Sequence, residues 1–263
     1  AMRFQADLIE VEGPEDAAEL FFQKGWTDGL PVVPPTPQKV ERMLAATSRR
    51  PEEAVGLIPP RYGQATIEKL AINAVMAGCL PEYFPAVVTA IEALLAPEFN
   101  LNGVQTTAHI VCPLTIISGP IVEKLNVNCS WGVFGNGYRA NGTIGRAIAL
   151  ALWNLGGARP GETARKNQAH PGKWTYCIGE NNKESPWEPV HAAYGVPASA
   201  NAVTVFACEA PHYVGVIGDS RAVLRTFCDT IATLGNNNVT TMGQTMGVRG
   251  PYPARQLARD EQV

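Results

Sequence analysis

The chain has 263 residues, ample for a sizeable core, and its 46% apolar content excludes a disordered chain. Charged residues make up only 17%, against about 25% in an average domain, which predicts surface covered by further subunits or by loops with neutral polar side chains; a homo-oligomer is the expectation. With 21 basic and 24 acidic residues the net charge is -3 and no basic stripe stands out, which argues against a nucleic-acid partner.

The elements can be taken in chain order. Residues Ala1 to Glu12 lack the apolar stretch of a secretory signal, so the cytoplasm is the expected location, and residues 1–13 are expected to be extended or partner-binding. Pro14, Glu15 and Asp16 open a short helix that stops at Gly25. The segment W-T-D-G-L-P-V-V-P-P-T, Trp26 to Thr36, holds three prolines and reads as extended, with a turn at Asp28-Gly29. Thr36 is expected to cap a helix from Pro37 that buries Val40, Met43 and Leu44. A proline-rich link, Ile58 to Pro60, leads to Thr66, which caps the helix Ile67 to Gly78. Pro81 opens the next helix, which ends before Pro97.

Ala108 to Ser118 reads as a strand, placed at an edge or a bulge by Pro113. Thr143 to Leu155 is an apolar helix stopped by Gly156-Gly157. Trp174 to Ile178 and Val203 to Ala207 read as strands, Arg221 to Leu234 as a final amphipathic helix, and residues 243–263 as a tail that is frayed or partner-binding. Helices and short strands interleave without a regular strand-helix rhythm, which predicts an α/β fold: a single domain, 1–263, with a mixed sheet flanked by helices. No apolar run is long enough for a membrane span.

The stretch Asn128 to Arg146 has five glycines before the apolar helix. Backbone amides and a helix start there, with Arg139 and Arg146, suit a carboxylate or phosphate; the bland reading is a tight connection whose arginines pair with acids. The glycine spacing is not G-x-G-x-x-G, and Gly137 to Gly142 has the gap of a phosphate-binding loop but carries Thr143 and Ile144 where that loop needs Lys and Ser/Thr. The six cysteines show no C-x-x-C pair, so reduced core thiols are the expectation. Cys79, between two helix ends, is the one with a candidate chemical role. His109 and His212 lie at strand ends with Glu180, a set that suits acid-base chemistry or, less favoured, a metal; His170 stands in H-P-G-K before a strand. Lys173, Glu180 and Glu184 read as a solvated ion-pair cluster. No G-x-S-x-G occurs, which argues against a serine hydrolase.

W-T-D-G-L-P-V-V-P-P-T, T-I-E-K-L-A-I-N-A-V-M-A-G-C-L-P-E-Y, F-N-L-N-G-V-Q-T-T-A-H, R-A-N-G-T-I-G-R-A and S-P-W-E-P together resemble an uncharacterised bacterial protein family. Its members occur near small cysteine or selenocysteine proteins with a U/C-G-S-C motif, so the resemblance implies a thiol or selenol protein partner. It implies no particular activity. Trp26, Asp28, Glu68, Asn73, Cys79, Gln105, His109, Arg139, Asn141, Arg146, Lys173, Glu180, Trp187 and His212 fall on its motif positions. The R-G-P-Y-P-A-R-Q-L-A-R-D ending departs from the more apolar pattern of the family.

Most of these polar residues stand in loops at element ends, where functional groups are usually displayed. The expectation is an enzyme acting on an anionic small molecule by acid-base or thiol-assisted chemistry, as a lyase, hydrolase or thiol-linked redox enzyme. His109 and His212 would be acid and base, Glu68 or Glu180 the orienting carboxylate, and Cys79 a nucleophile. Arg139, Asn141, Arg146, Asn73, Gln105, Trp26 and Asp28 would bind substrate. The alternative is a non-catalytic subunit that binds a substrate for a thiol or selenol partner protein.

Overall fold

In the computed structural model the described part of the chain is residues 4–233 and the backbone of one short strand near the end. Leu234 and most of the tail 243–263 lie outside it, as do residues 1–3. The first helix, α1 (Pro14–Gln23), starts with a proline and two acids in its first turn. Residues 26–36 run extended, with Gly29 at φ +94° in the expected turn. The helix α2 (Pro37–Leu44) follows and buries Val40, Met43 and Leu44, but the Thr36 side chain makes no capping bond; Pro37 leaves one amide fewer to satisfy.

The link expected at Ile58 to Pro60 is the connection of an antiparallel hairpin of β1 (Ala54–Ile58) and β2 (Gly63–Thr66). Its prolines are confined to the connection, where Pro59-Pro60 is cis, so they cost the ladder no donor. Thr66 ends β2 and caps α3 (Ile67–Ala77) by accepting from the Lys69 amide, and Gly78 closes that helix in the left-handed region. Then comes α4 (Phe84–Leu94). All its side chains are buried except Glu92, whose carboxylate takes Arg49 at 2.6 Å. A helix apolar on every side belongs inside a core. A short helix that the sequence pattern does not reveal, α5 (Leu101–Thr106), is capped by Asn100.

The central strand is β3 (Cys112–Ser118), followed by the short α6 (Ile121–Lys124) and the long α7 (Arg139–Asn154). Next come β4 (Cys177–Gly179) and β5 (Ala202–Cys208), then the exposed α8 (Ser220–Ile231) and β6 (Arg255–Gln256). The sheet order is β4-β3-β5-β6, with β4 parallel to β3 and the other pairs antiparallel. The fold is therefore α/β with a small mixed sheet flanked by helices. Ile117, Val203 and Val205 face the main core with α3, α4 and α7, whereas Cys112, Leu114 and Tyr176 form a smaller cluster with Cys208.

Pro113 lies in the central strand, not at an edge. Thr115 donates to the Tyr176 carbonyl on the β4 side, and residue 113, two positions earlier, turns the same way, beyond the point where β4 begins. Its missing amide thus faces no strand, which lets β3 carry an open margin at its start without an orphaned donor. Among the described residues no single helix is long and apolar enough to cross a membrane; α4 and the bent segment after it pass together on length and composition, but α4 is packed within the protein.

Candidate functional site

A cavity of about 640 Å³ occupies that open margin. Its walls are β3, α7, the Gln105 end of α5 and the loop 164–174, which joins α7 to β4. Lys166, Lys173 and His170 gather here. Burial, then repulsion from Lys173, pushes the Lys166 ammonium down to about 7. Lys173 is lowered as well, by burial. Lys166 Nζ donates to the Val104 carbonyl at 2.5 Å, at the carbonyl end of α5. The Lys173 ammonium has no hydrogen bond or ion pair among the described residues. Neither lysine is paired with a carboxylate there; the cavity's Asp28 is already held by Arg146 in two bonds of 2.9 and 2.8 Å.

Gln105 adds a second oddity. It is 0% exposed, lines the cavity, and neither its side-chain oxygen nor its nitrogen has a partner among the described residues. Buried amides are nearly always satisfied, so this one offers a donor and an acceptor to whatever fills the cavity, water included.

At the cavity floor, His170 Nε2 stands 2.9 Å from Cys112 Sγ. The Gly172 amide donates to His170 Nδ1, which places the proton of the neutral imidazole on Nε2, facing the sulfur. Burial lowers the His170 pKa and pushes the Cys112 thiol up to about 12. Cys112 has no exposed surface and forms part of the cavity wall, against the His170 imidazole and close to Gly172. Tyr176 packs edge-on to His170 and donates its hydroxyl to the Glu209 carbonyl.

The residues singled out in the sequence are dispersed. Gln105 and Asp28 line this cavity, whereas Trp26 and Asn73 line a second one of about 670 Å³ beneath the N-terminal segment. Asn73 bonds Asn154 across that second cavity, and Trp26 packs edge-on to Phe21. Buried Glu68 accepts from the Gln5 and Ala6 amides. The Cys79 thiol donates to the Thr143 carbonyl, and burial pushes it up to about 12.

His109 pairs with Glu209 at 2.5 Å, Glu180 takes the Ser118 hydroxyl and the Val190 amide, and His212 is exposed. His109 precedes the start of β3 whereas Glu180 is bonded at its end, so these two are separated by the strand, and no group of His, Cys, Asp or Glu that could hold a metal occurs among the described residues.

In the glycine-rich loop, α7 starts at Arg139, so Thr143 lies within the helix and donates to the Arg139 carbonyl instead of capping. Arg139 caps the end of α3 through two bonds to the Gly78 carbonyl. Asn141 ties the loop to β4 through Asn128 and the Cys177 carbonyl. Sequence reasoning passed over Cys112 and Lys166, noted His170 without giving it a role, and read Lys173 as a solvated ion-pair partner although it falls on a motif position of the family. The available signals were Pro113 after the cysteine and Pro-Gly after the histidine, both of which constrain backbone at the site. In comparisons with known proteins, no family model, no curated protein and no solved structure matches the chain.

Proposed function

We propose that the chain is an enzyme acting on a small anionic molecule, most simply a carboxylate, by acid-base chemistry in the Lys166-Lys173 cavity. The observation that carries this reading is the pair of half-buried lysines that line one cavity without a carboxylate partner among the described residues. An anionic guest supplies the missing charge and would restore both lysines toward their ordinary values. Lys173 is the anchor, Gln105 supplies a donor and an acceptor for orientation, and Lys166, which becomes protonated as the anion binds, is the proton donor of the step. A lyase or a proton-transfer step on a carbon next to the carboxylate fits this set of groups.

The test is thermal stabilisation by a panel of small mono- and dicarboxylates at low salt, followed by proton NMR in deuterated water of the acids that bind. Carboxylate-dependent stabilisation, lost in Lys173→Ala, together with deuterium uptake lost in Lys166→Ala, is the expected result. If no acid stabilises the protein more than chloride does, the reading is wrong.

The second reading, a non-catalytic subunit serving a thiol or selenol partner, draws support from exposed apolar surface at Trp131, Trp187 and Tyr213, and at Leu224, Phe227 and Ile231 of α8. It predicts binding without deuterium uptake. The same surface supports an oligomer.

A further inference from the structure

Cys112 and Cys208 are direct partners in the antiparallel β3-β5 register. Thr115 turns its amide toward β4, so residues 112, 114, 116 and 118 turn theirs toward β5, which makes Cys112 and Cys208 a hydrogen-bonded pair. The Cα atoms of such a pair lie about 5.5 Å apart with both side chains on one face of the sheet. The Cα spacing is within the roughly 4.4–6.8 Å span that a disulfide bridges, and the Cβ atoms, about 5.5 Å apart in such a pair, must close by about 1 Å for the bond to form. Cys208 packs in the same small apolar cluster as Cys112, and His170 Nε2 is 2.9 Å from Cys112 Sγ and 3.4 Å from the Cys208 carbonyl. The two thiols differ in access: Cys208 is half-buried and Cys112 is sealed.

We infer that Cys112 and Cys208 form a redox pair that is oxidised by a low-molecular-weight disulfide, Cys208 attacking first and Cys112 resolving. The Cys208 thiolate attacks one sulfur of R-S-S-R; a Cys208-S-S-R bond forms, the R-S-S-R bond breaks, and one R-S⁻ leaves and takes up the proton that Cys208 released. Cys112, its thiolate stabilised by the His170 Nε2-H, attacks the Cys208 sulfur. The Cys112-Cys208 bond forms as the second R-S⁻ leaves and takes up the Cys112 proton. Two thiols are oxidised, one external disulfide is reduced to two thiols, and no other reactant is needed. Burial holds both groups as thiols near neutral pH, Cys112 at about 12 and Cys208 at about 11, so exchange runs through a small thiolate fraction and is slow. Oxidation also turns the thiol beside His170 into a disulfide sulfur, which couples the pair to the cavity wall. The inference stands on the strand register and the imidazole contact, and does not require the anion reading.

The experiment incubates the full chain with oxidised glutathione for hours, then measures intact mass and maps peptides without reduction. The expected result is loss of two hydrogens with a Cys112-Cys208 crosslink, restored by dithiothreitol, and a glutathione adduct trapped on Cys208 in Cys112→Ser. Six thiols still free in the wild type, a crosslink between other cysteines, or a lasting adduct on wild-type Cys208 would overturn it. The wild-type measurement needs no variant to fold. Lys173→Ala separates the two proposals: it should lose carboxylate stabilisation yet keep the crosslink.

Discussion

The Gly172 backbone presses on the His170 ring so closely that a Cβ added to residue 172 would stand 2.6 Å from His170 Cε1 and 3.0 Å from Cys112 Sγ. Gly172 is therefore the residue that fixes the imidazole, both by this contact and by the amide bond to Nδ1. Gly172→Ala should displace the ring, break the 2.9 Å thiol-imidazole contact and cost about 1–3 kcal/mol of stability through overpacking. The check is denaturant unfolding, with alkylation of Cys112 in the native state as a second readout. Cys112 should label faster once its cover has shifted. Unchanged stability and labelling would mean that the loop 169–173 yields freely and the ring is not held.

The lysine pair sets a pH dependence with a definite sign. Lys166 sits at about 7 in the folded chain against an ordinary 10.5, because of burial first and Lys173 second. An anion bound beside it raises that value, so binding takes up a proton above about pH 7, and affinity should fall about tenfold per pH unit there and level off below. Lys166→Ala should flatten this profile. Lys173→Ala should weaken binding and move the break to higher pH, since one source of repulsion is gone. For folding, the unfolded chain holds the proton that the folded chain has lost, so this lysine's contribution to stability rises from about pH 7 toward 10.5. Isothermal titration in two buffers of different ionisation enthalpy reads the proton uptake directly.

Legibility in the sequence followed chain locality. Helices α1, α2, α3, α4 and α7 and strands β3 and β5 are each written by proline, glycine or apolar spacing within the element. The hairpin at 54–66 was hidden because its prolines signal a link, although they serve only the turn. The candidate site was less legible still. Cys112 and His170 are 58 residues apart and meet only because the loop after α7 folds back on the start of β3. Arg146 and Asp28 pair across 118 residues. Arg139, Asn141 and Glu68 looked functional by type and position, yet their polar atoms are engaged with backbone groups. Residue type signals capacity for hydrogen bonding, and only packing reveals who uses it.

Glu68 clamps the N-terminal segment. Its buried carboxylate accepts from the Gln5 and Ala6 amides at 2.9–3.0 Å, and residues from Phe4 to Val11 in turn cover the apolar cavity that Trp26 and Asn73 line. Glu68→Ala should free this segment, at about 1.5–3 kcal/mol for charge-assisted bonds of this kind. Hydrogen exchange at residues 4–12 should then rise about tenfold or more while α3 keeps its protection. Equal protection in variant and wild type would show that apolar contacts alone hold the strap.

The Arg146-Asp28 pair fastens α7 to the extended segment at the cavity mouth, and its two side chains are only 16% and 9% exposed. Burial works to raise the Asp28 pKa, but the two bonds and the charge of Arg146 outweigh it and hold the carboxyl below its usual value. Stability from this ionisation is therefore present above about pH 4 and lost as pH falls through the lowered native value. Arg146→Ala removes the compensation and leaves the desolvation, which should cost about 3 kcal/mol at neutral pH. With Arg146 gone, burial dominates and Asp28 should titrate above its ordinary value, so acidification neutralises the stranded carboxylate and narrows the gap from wild type. Asp28→Asn in the Arg146→Ala background should recover part of the loss at pH 7. The opposite trend, a gap that widens toward pH 4, would show that Asp28 finds another cation when Arg146 is absent.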